Sequence, residues 1–342
     1  MSKKYFLGFI IITIVIFVFG LNTGENDDNT LTIYTAIEEE YVNEYLADFK
    51  EKNPDIKLNV IRDSSGVVSA KLMLEKDNPR ADVAWGIPAS SVLLLEKYDL
   101  FAPYESQYLA NLDNKFYDTT NEVPTWAGIS AWMTAFTVNI DELNKKGLNT
   151  PTSYEDLLDS RYSSSIIMPN PASSGTGFLT VSAWLQIMGE EKGWEFMDKL
   201  NSNIKEYSHS GSAPTKQAAK GEAILGIGMD FMSFQMESKN DKIITILPQE
   251  GSGWELEVIS LVKKDNIKPA AKKFYDWALS PEVMAMYAKY RSLVTEIGYL
   301  PESAEKYPIG VNEQMIENNL IWASENRTRI LREWEQRYGV GE

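Results

Sequence analysis

The stretch LTIYTAIEEEYVNEYLADFKEKNPDIKLNVIRD, residues 31–63, decides the fold. LTIYTA (31–36) reads as a strand. Tyr41, Val42, Tyr45, Leu46 and Phe49 then fall on one helical stripe, which Pro54 ends. LNVIRD (58–63) is a second strand and SGVVSAKLMLEKDNP a second helix. ADVAWG (81–86) is a third strand, followed by a short apolar helix through Leu93–Leu95. A βαβαβ run of this kind makes a parallel sheet covered by helices.

The same theme returns further on. AFTVN (135–139), EAILGIGM (222–229) and IITILPQ (243–249) read as strands, and 178–200 as a helix. LEVISLVKK (256–264) has the half-buried character of AFTVN. Helices at 268–279, 281–290 and 312–337 finish the chain. At 342 residues the chain is long for one core. No low-complexity linker separates its halves. The expected architecture is therefore α/β in two lobes, each a mainly parallel sheet flanked by helices, with AFTVN and LEVISLV crossing between them as a two-strand hinge. Lobe 1 is expected over 31–137 and 258–300 and lobe 2 over 138–257. The C-terminal segment 301–342 is helical, and its lobe is left open.

Composition narrows the function. The net charge of −16 argues against a nucleic-acid or anionic-membrane partner, either of which wants a basic face. Lys3 and Lys4, then an apolar run from Tyr5 to Gly20, then the polar GENDDNT, read as an export signal with its leader over 1–30. Val18 and Gly20 are small enough for a cleavage site, and an uncleaved anchor is the alternative. There is no cysteine, so disulfides, thiol catalysis, thiolate metal sites and a lipidated N-terminal cysteine are excluded.

In doubly wound sheets ligands bind outside the carboxyl ends of the strands. The informative residues are then Tyr34 to Ile37, with Tyr34 and Thr35 as site candidates, Asp63 to Gly66, Trp85 to Pro88, with Trp85 and Gly86 as candidates, Ser173 to Gly177, His209 to Ser212, and Met229 to Phe231. DSSG (63–66) and SSGTG (173–177) each place hydroxyls and glycine where a helix begins. The first amides of a helix lack internal partners and carry partial positive charge, so Ser64, Ser65, Gly66, Ser173, Ser174, Gly175 and Thr176 form a candidate anion cradle. Serine is also a common helix cap, and that reading weighs most for DSSG. No lysine follows the glycines, so neither loop is a P-loop. HSGS (209–212) adds Ser210 and Ser212, while His209, the only histidine, reads as a structural hydrogen-bonding residue. GIGMDF places Asp230 at a strand end, where a carboxylate could meet a ligand cation or simply cap. Trp85, Trp126, Trp132 and Trp254 could wall a cleft or pack a core.

Catalytic and metal patterns do not emerge. No histidine accompanies a serine motif, no HExxH spacing occurs, and nothing selects two carboxylates as a glycosidase pair. No catalytic residue, metal ligand or cofactor is assigned.

RDSSGVVSAKLMLEKDNPRADVAWG, MPNPASSGTGFLTVSAWLQIMGEEKGW, YSHSGSAPTKQAA and LPQEGSGWELE resemble a type II periplasmic solute-binding protein of an ABC importer. Within that class they look like the 2-aminoethylphosphonate-binding branch of the ferric-iron-type group, over about Leu31 to Tyr299. The resemblance implies a monomer outside the cytoplasm whose lobes close on a small anion and then dock on a permease. It implies that Ser64, Ser65 and Gly66 hold a phosphonate from one lobe and Ser173, Ser174, Gly175 and Thr176 from the other. Asp230 is the candidate for the ligand's ammonium. Net negative charge is compatible with this, because salt screens distant charge over about 8 Å. A phosphorylated metabolite such as a hexose phosphate would suit the same cradle. Ferric iron wants adjacent tyrosines, and the chain has no Tyr-Tyr pair. A secreted hydrolase is the remaining alternative.

Overall fold

The computed structural model describes residues 29–339. The expected export signal lies outside these residues. Among them, no helix is long and apolar enough to cross a membrane.

The first lobe starts as β1 (Thr30–Thr35), α1 (Glu39–Lys52), β2 (Lys57–Arg62), α2 (Ser65–Leu74), β3 (Val83–Pro88) and α3 (Ala89–Glu96). Short β4 (Phe101–Ala102) leads by a long loop to β5 (Ala127–Asn139). The second lobe holds α4 (Ile140–Lys145), β6 (Ile166–Pro169), α5 (Gly175–Met188), α6 (Glu190–Leu200), β7 (Ile204–Ser208), α7 (Ala213–Ala219), β8 (Leu225–Met229), α8 (Asp230–Glu237) and β9 (Ile243–Ile246). β10 (Trp254–Val262), α9 (Pro269–Ala278), α10 (Pro281–Ala288) and β11 (Leu293–Val294) return to lobe 1, and α11 (Val311–Gln314) and α12 (Leu320–Tyr338) close the chain.

β1 pairs in parallel with β2 and β3, and β6 in parallel with β7 and β8. The strands that link the lobes run antiparallel to these, so both sheets are mixed. β5 pairs with β10 as far as Met133 and with β8 from Thr134, so it changes sheet between those two residues. β9 and β10 lie in line along it, separated by the loop 247–253. The hinge is this two-strand ribbon, tied by Thr134 N–H donating to Gly253 O at 2.9 Å. The sheet-to-sheet step thus falls a few residues before the 137/138 division. AFTVN lies wholly in the lobe 2 sheet and LEVISLV wholly in the lobe 1 sheet, and the crossing expected of them is made just before each, at Met133–Thr134 and in the loop 247–253.

α1 shows why the pattern was readable. Tyr41, Val42, Tyr45, Leu46 and Phe49 are all buried, with acids in its first turn and lysines in its last, as the helix dipole favours. The expected 178–200 helix is two helices. Gly189, at φ +80°, ends α5 and starts α6, a backbone state that glycine enters without a Cβ penalty. The expected 312–337 helix begins only at Leu320, where the Asn319 side chain accepts from Trp322 N–H. Residues 315–319 instead lie beside the hinge, with Ser252 bridged to Met315. α12 joins the lobe 2 core through Ala323, Ile330 and Trp334, while its Glu325 pairs with Lys97 of lobe 1 at 3.7 Å.

β10 is buried along almost its whole length, unlike the half-buried strand expected. Its carboxylates therefore need internal partners. Glu255, next to the hinge, accepts from Ser90 Oγ (2.5 Å) and Leu256 N–H (3.0 Å). Burial pushes its carboxyl up to about 7 against the pull of those donors and of Arg327. A raised folded-state value means that protonation stabilises the fold. The gain is full below the ordinary value of 4.5 and is lost as pH rises through about 7. The wild type is expected to melt at lower temperature at pH 8 than at pH 5.5, and Glu255→Gln to shrink that difference. The protonated carboxyl contributes roughly 3 kcal/mol at most. Calorimetric melts across this range check it, and an equal slope in the variant would refute the assignment.

Candidate functional site

The carboxyl ends of β1, β2 and β3 in lobe 1 and of β6, β7 and β8 in lobe 2 carry the loops singled out above, and the structure brings two of them into contact. Gly66 N–H donates to Ser173 O (3.1 Å) across the lobes. Gly175 N–H donates to Ser65 Oγ (2.6 Å). These amides belong to the first turns of α2 and α5. The lobes are therefore closed, with each loop meeting donors of the other. Both glycines are required by proximity. A Cβ on Gly66 would stand 2.5 Å from Ala172 O and 2.7 Å from Ser173 O, and one on Gly175 would stand 2.4 Å from Ser65 Oγ.

The remaining residues of the candidate cradle surround this junction. Ser64 stands at the N-cap position of α2 without a side-chain capping hydrogen bond, and its N–H donates to Asp63 Oδ1 (2.7 Å). Ser174 Oγ caps α5 by accepting from Gly177 N–H (3.4 Å), and Ser174 and Thr176 are both buried. The HSGS loop packs on them, since Gly211 sits directly against the Thr176 and Ser174 hydroxyls. Ser210 and Ser212 share a hydrogen bond at 3.0 Å. Ser173 Oγ donates to His209 O (2.9 Å), and His209 Nε2 lies 3.8 Å from Asp63 Oδ1 of the other lobe. Thr35 ends β1, with its Oγ1 accepting from Ile37 N–H (3.2 Å) and its carbonyl from Asp63 N–H (3.2 Å). Gly86 lies under the Ile37 side chain. An open recess of about 480 Å³ is lined by both loops, through Gly66, Ala172, Ser173 and His209.

Two expected site residues belong to the core instead. Trp85 is fully buried, donates Nε1–H to Tyr287 Oη (3.0 Å) and stands edge-on to Tyr45 and Phe274. Tyr34 is buried as well, with its hydroxyl donating to Glu75 Oε2 (2.9 Å). The reason is geometric. Successive strand side chains point to opposite faces, and a parallel sheet buries both faces under helices. Trp126 and Trp132 are core residues too, and Trp254 is half-buried against the C-terminal segment.

Asp230 lies at the end of β8, beside the strand that delivers Ser173 to Thr176. It is almost fully buried. Its Oδ2 accepts from the Tyr307 hydroxyl, while Oδ1 has no hydrogen-bond partner. Burial pushes its carboxyl up to about 6, partly offset by Tyr307, by the nearby backbone of Met133 and Phe231, and by Arg291.

Arg291 is the residue that sequence reasoning missed. It is buried in lobe 1, donates from Nε (3.0 Å) and Nη2 (2.8 Å) to Glu257, and lies 3.6 Å from Glu38. Its guanidinium stacks 3.7 Å over Phe231 of lobe 2. Burial raises the Glu38 carboxyl and Arg291 pulls it back. Burial alone would lower the Arg291 value, but the Glu257 charge overrides it and keeps the cation protonated. One arginine thus faces three carboxylates where the lobes meet. Glu38 sits in an acidic run that reads as solvated surface. The alternation of Glu255 and Glu257 with Leu256 and Val258 reads as a strand with a solvated acidic face, so no local signal marks these acids as buried. Among the described residues, no three of His, Cys, Asp or Glu gather where a metal ion could sit.

Two α/β lobes joined by a two-strand hinge, with helix N-termini meeting between them, define a type II periplasmic binding protein fold. The chain belongs to the bacterial extracellular solute-binding proteins, whose family model matches residues 86–321. An uncharacterised protein of Haemophilus influenzae is 31% identical over 231 residues, which are 67% of this chain and 66% of that protein. The periplasmic binding protein AfuA of Actinobacillus pleuropneumoniae, solved with exogenous fructose 6-phosphate bound, superposes with a TM-score of 0.81 at 27% identity, over 91% of this chain and 99% of that one. The 2-aminoethylphosphonate branch is represented by a more distant relative. It is a Salmonella typhimurium protein provisionally described as 2-aminoethylphosphonate-binding, 23% identical over 68% of this chain and 67% of its own.

Proposed function

We propose that this chain is the periplasmic solute-binding subunit of an ABC importer and that its solute is a small organic anion ending in a phosphate or phosphonate group. The observation that carries this reading is the meeting of the α2 and α5 first turns, Gly66 with Ser173 and Gly175 with Ser65, across the closed lobes. With the Gly66 and Gly175 amides paired across the junction, a tetrahedral oxyanion between the lobes can accept from the other first-turn amides and hydroxyls of both helices, so it binds the closed form better and draws the equilibrium towards it. The closed form then docks on the permease as a single copy.

A phosphate ester such as a hexose phosphate fits best, because the relative holding fructose 6-phosphate is 27% identical over 91% of this chain, against 23% over 68% for the 2-aminoethylphosphonate relative. 2-Aminoethylphosphonate is the second reading, favoured by the unpartnered Asp230 Oδ1, a ready acceptor for an ammonium group. Ferric iron is disfavoured, since the sequence holds no adjacent tyrosine pair and Asp230 is already bonded to Tyr307.

A thermal-shift panel tests the reading. At a hundred times its dissociation constant a solute stabilises the native state by about 2.7 kcal/mol. Hexose phosphates or 2-aminoethylphosphonate should raise the melting temperature, and ferric citrate should not. A shift with iron alone would end the phosphate and phosphonate readings together.

A further inference from the structure

Residues 301–319 run from the end of lobe 1 along the hinge to α12. Ser303 Oγ donates to Arg291 O (3.0 Å). Gln314 Nε2 donates to Pro248 O (2.9 Å), and Ser252 N–H donates to Gln314 O (2.7 Å). Trp254 Nε1 donates to Ile316 O (3.0 Å). Tyr307 comes from the middle of this strap. Its ring stands 5.5 Å from Phe234 of lobe 2, within a cluster that includes Met133 at the crossing. A side chain so held presents its hydroxyl in one place, and that place is Asp230 Oδ2.

We propose that Tyr307 is a positioning residue for the solute site: it fixes the Asp230 carboxylate so that Oδ1 accepts an N–H or O–H group at the end of the solute remote from its phosphorus. This rests on the cradle reading above. β6 and β8 are neighbouring parallel strands, so Asp230 and the SSGTG loop leave the same edge of the lobe 2 sheet. A solute anchored by its phosphorus at α5 has its other end near the β8 terminus, since adjacent strands lie roughly 5 Å apart. Asp230 and Arg291 with Glu38 and Glu257 supply three carboxylates against one cation there, which suits a donor-rich end. An ammonium and a sugar hydroxyl offer the same donor.

The charged and titratable groups around Asp230 are Tyr307 from the strap and Arg291 from lobe 1, which is itself paired with Glu38 and Glu257. Only ionised Asp230 has both oxygens open to donors, so solute affinity should fall as pH drops through about 6. Without the Tyr307 hydroxyl the carboxyl protonates more easily, and the fall should begin at higher pH.

The test is calorimetric titration of wild type and Tyr307→Phe with two ligand pairs, 2-aminoethylphosphonate against ethylphosphonate and glucose 6-phosphate against methyl phosphate. The wild type should bind one donor-bearing member more tightly than its analogue, which also tells an ammonium from a hydroxyl. Tyr307→Phe should weaken that member roughly tenfold, as loss of a hydrogen bond to a charged group does, and leave its analogue within about twofold. Its affinity–pH curve should move to higher pH. Asp230→Asn should also weaken that member more than its analogue. Equal weakening of both members, or unchanged affinity and pH profile in Tyr307→Phe, would overturn the proposal while leaving the cradle intact. No binding of either pair by the wild type would overturn both.

Discussion

Replacing Gly66 by valine is expected to remove high-affinity solute binding while leaving both lobes folded. The closed junction leaves no room for a side chain, since a Cβ there stands within 3 Å of two carbonyl oxygens of the opposite lobe. Backbone oxygens of a helix-entry loop cannot step aside as a flexible side chain can, so the lobes must stop short of contact. Position 66 lies in the first turn of α2, where valine costs a few tenths of a kcal/mol relative to good helix formers. The free protein should therefore melt within a few degrees of wild type. Solute affinity should fall by about a hundredfold, because a ligand held by one lobe forfeits the coupling of roughly 1–3 kcal/mol that closure supplies. Calorimetric titration with the best ligand of the thermal-shift panel reads this directly. Wild-type affinity in the variant would mean that the solute binds without the closed junction.

Arg291→Ala is expected to be the most damaging single change to stability. Arg291 stands between Glu257 and Glu38, both buried, and its removal leaves two carboxylates in the interior without their counter-charge. Breaking a buried ion pair from one side costs about 3–5 kcal/mol, more than the net worth of the pair. Urea unfolding should show this loss. Adding Glu257→Gln to Arg291→Ala should restore part of it, since the second change removes one stranded charge. If the single variant unfolds like wild type, the guanidinium is not the counter-ion the geometry makes it.

The fold was legible because its signals are local. The α1 stripe, the strand ends and the DSSG and SSGTG loops each lie within a few consecutive residues, and their backbone roles follow from residue type. Tyr34 and Trp85 misled because proximity to a strand end says nothing about which face a side chain takes. Gly189 hides inside a pattern that is apolar on both sides, so 178–200 looked continuous. The acids of β10 and the Arg291 cluster depend on partners tens to hundreds of residues apart in sequence, Glu257 with Arg291, Ser90 with Glu255 and Asp230 with Tyr307. No local spacing encodes such pairs. The strap was missed for the same reason, as its role is set by what it touches at the hinge.

The central claim is that a phosphorylated or phosphonate solute closes the two lobes on each other through α2 and α5. Small-angle X-ray scattering of the wild type, with and without the panel's best ligand at saturation, tests it most directly. The account predicts a smaller radius of gyration with solute, matching the closed arrangement described above. A ligand that binds tightly and leaves the radius of gyration unchanged from an open form would contradict it.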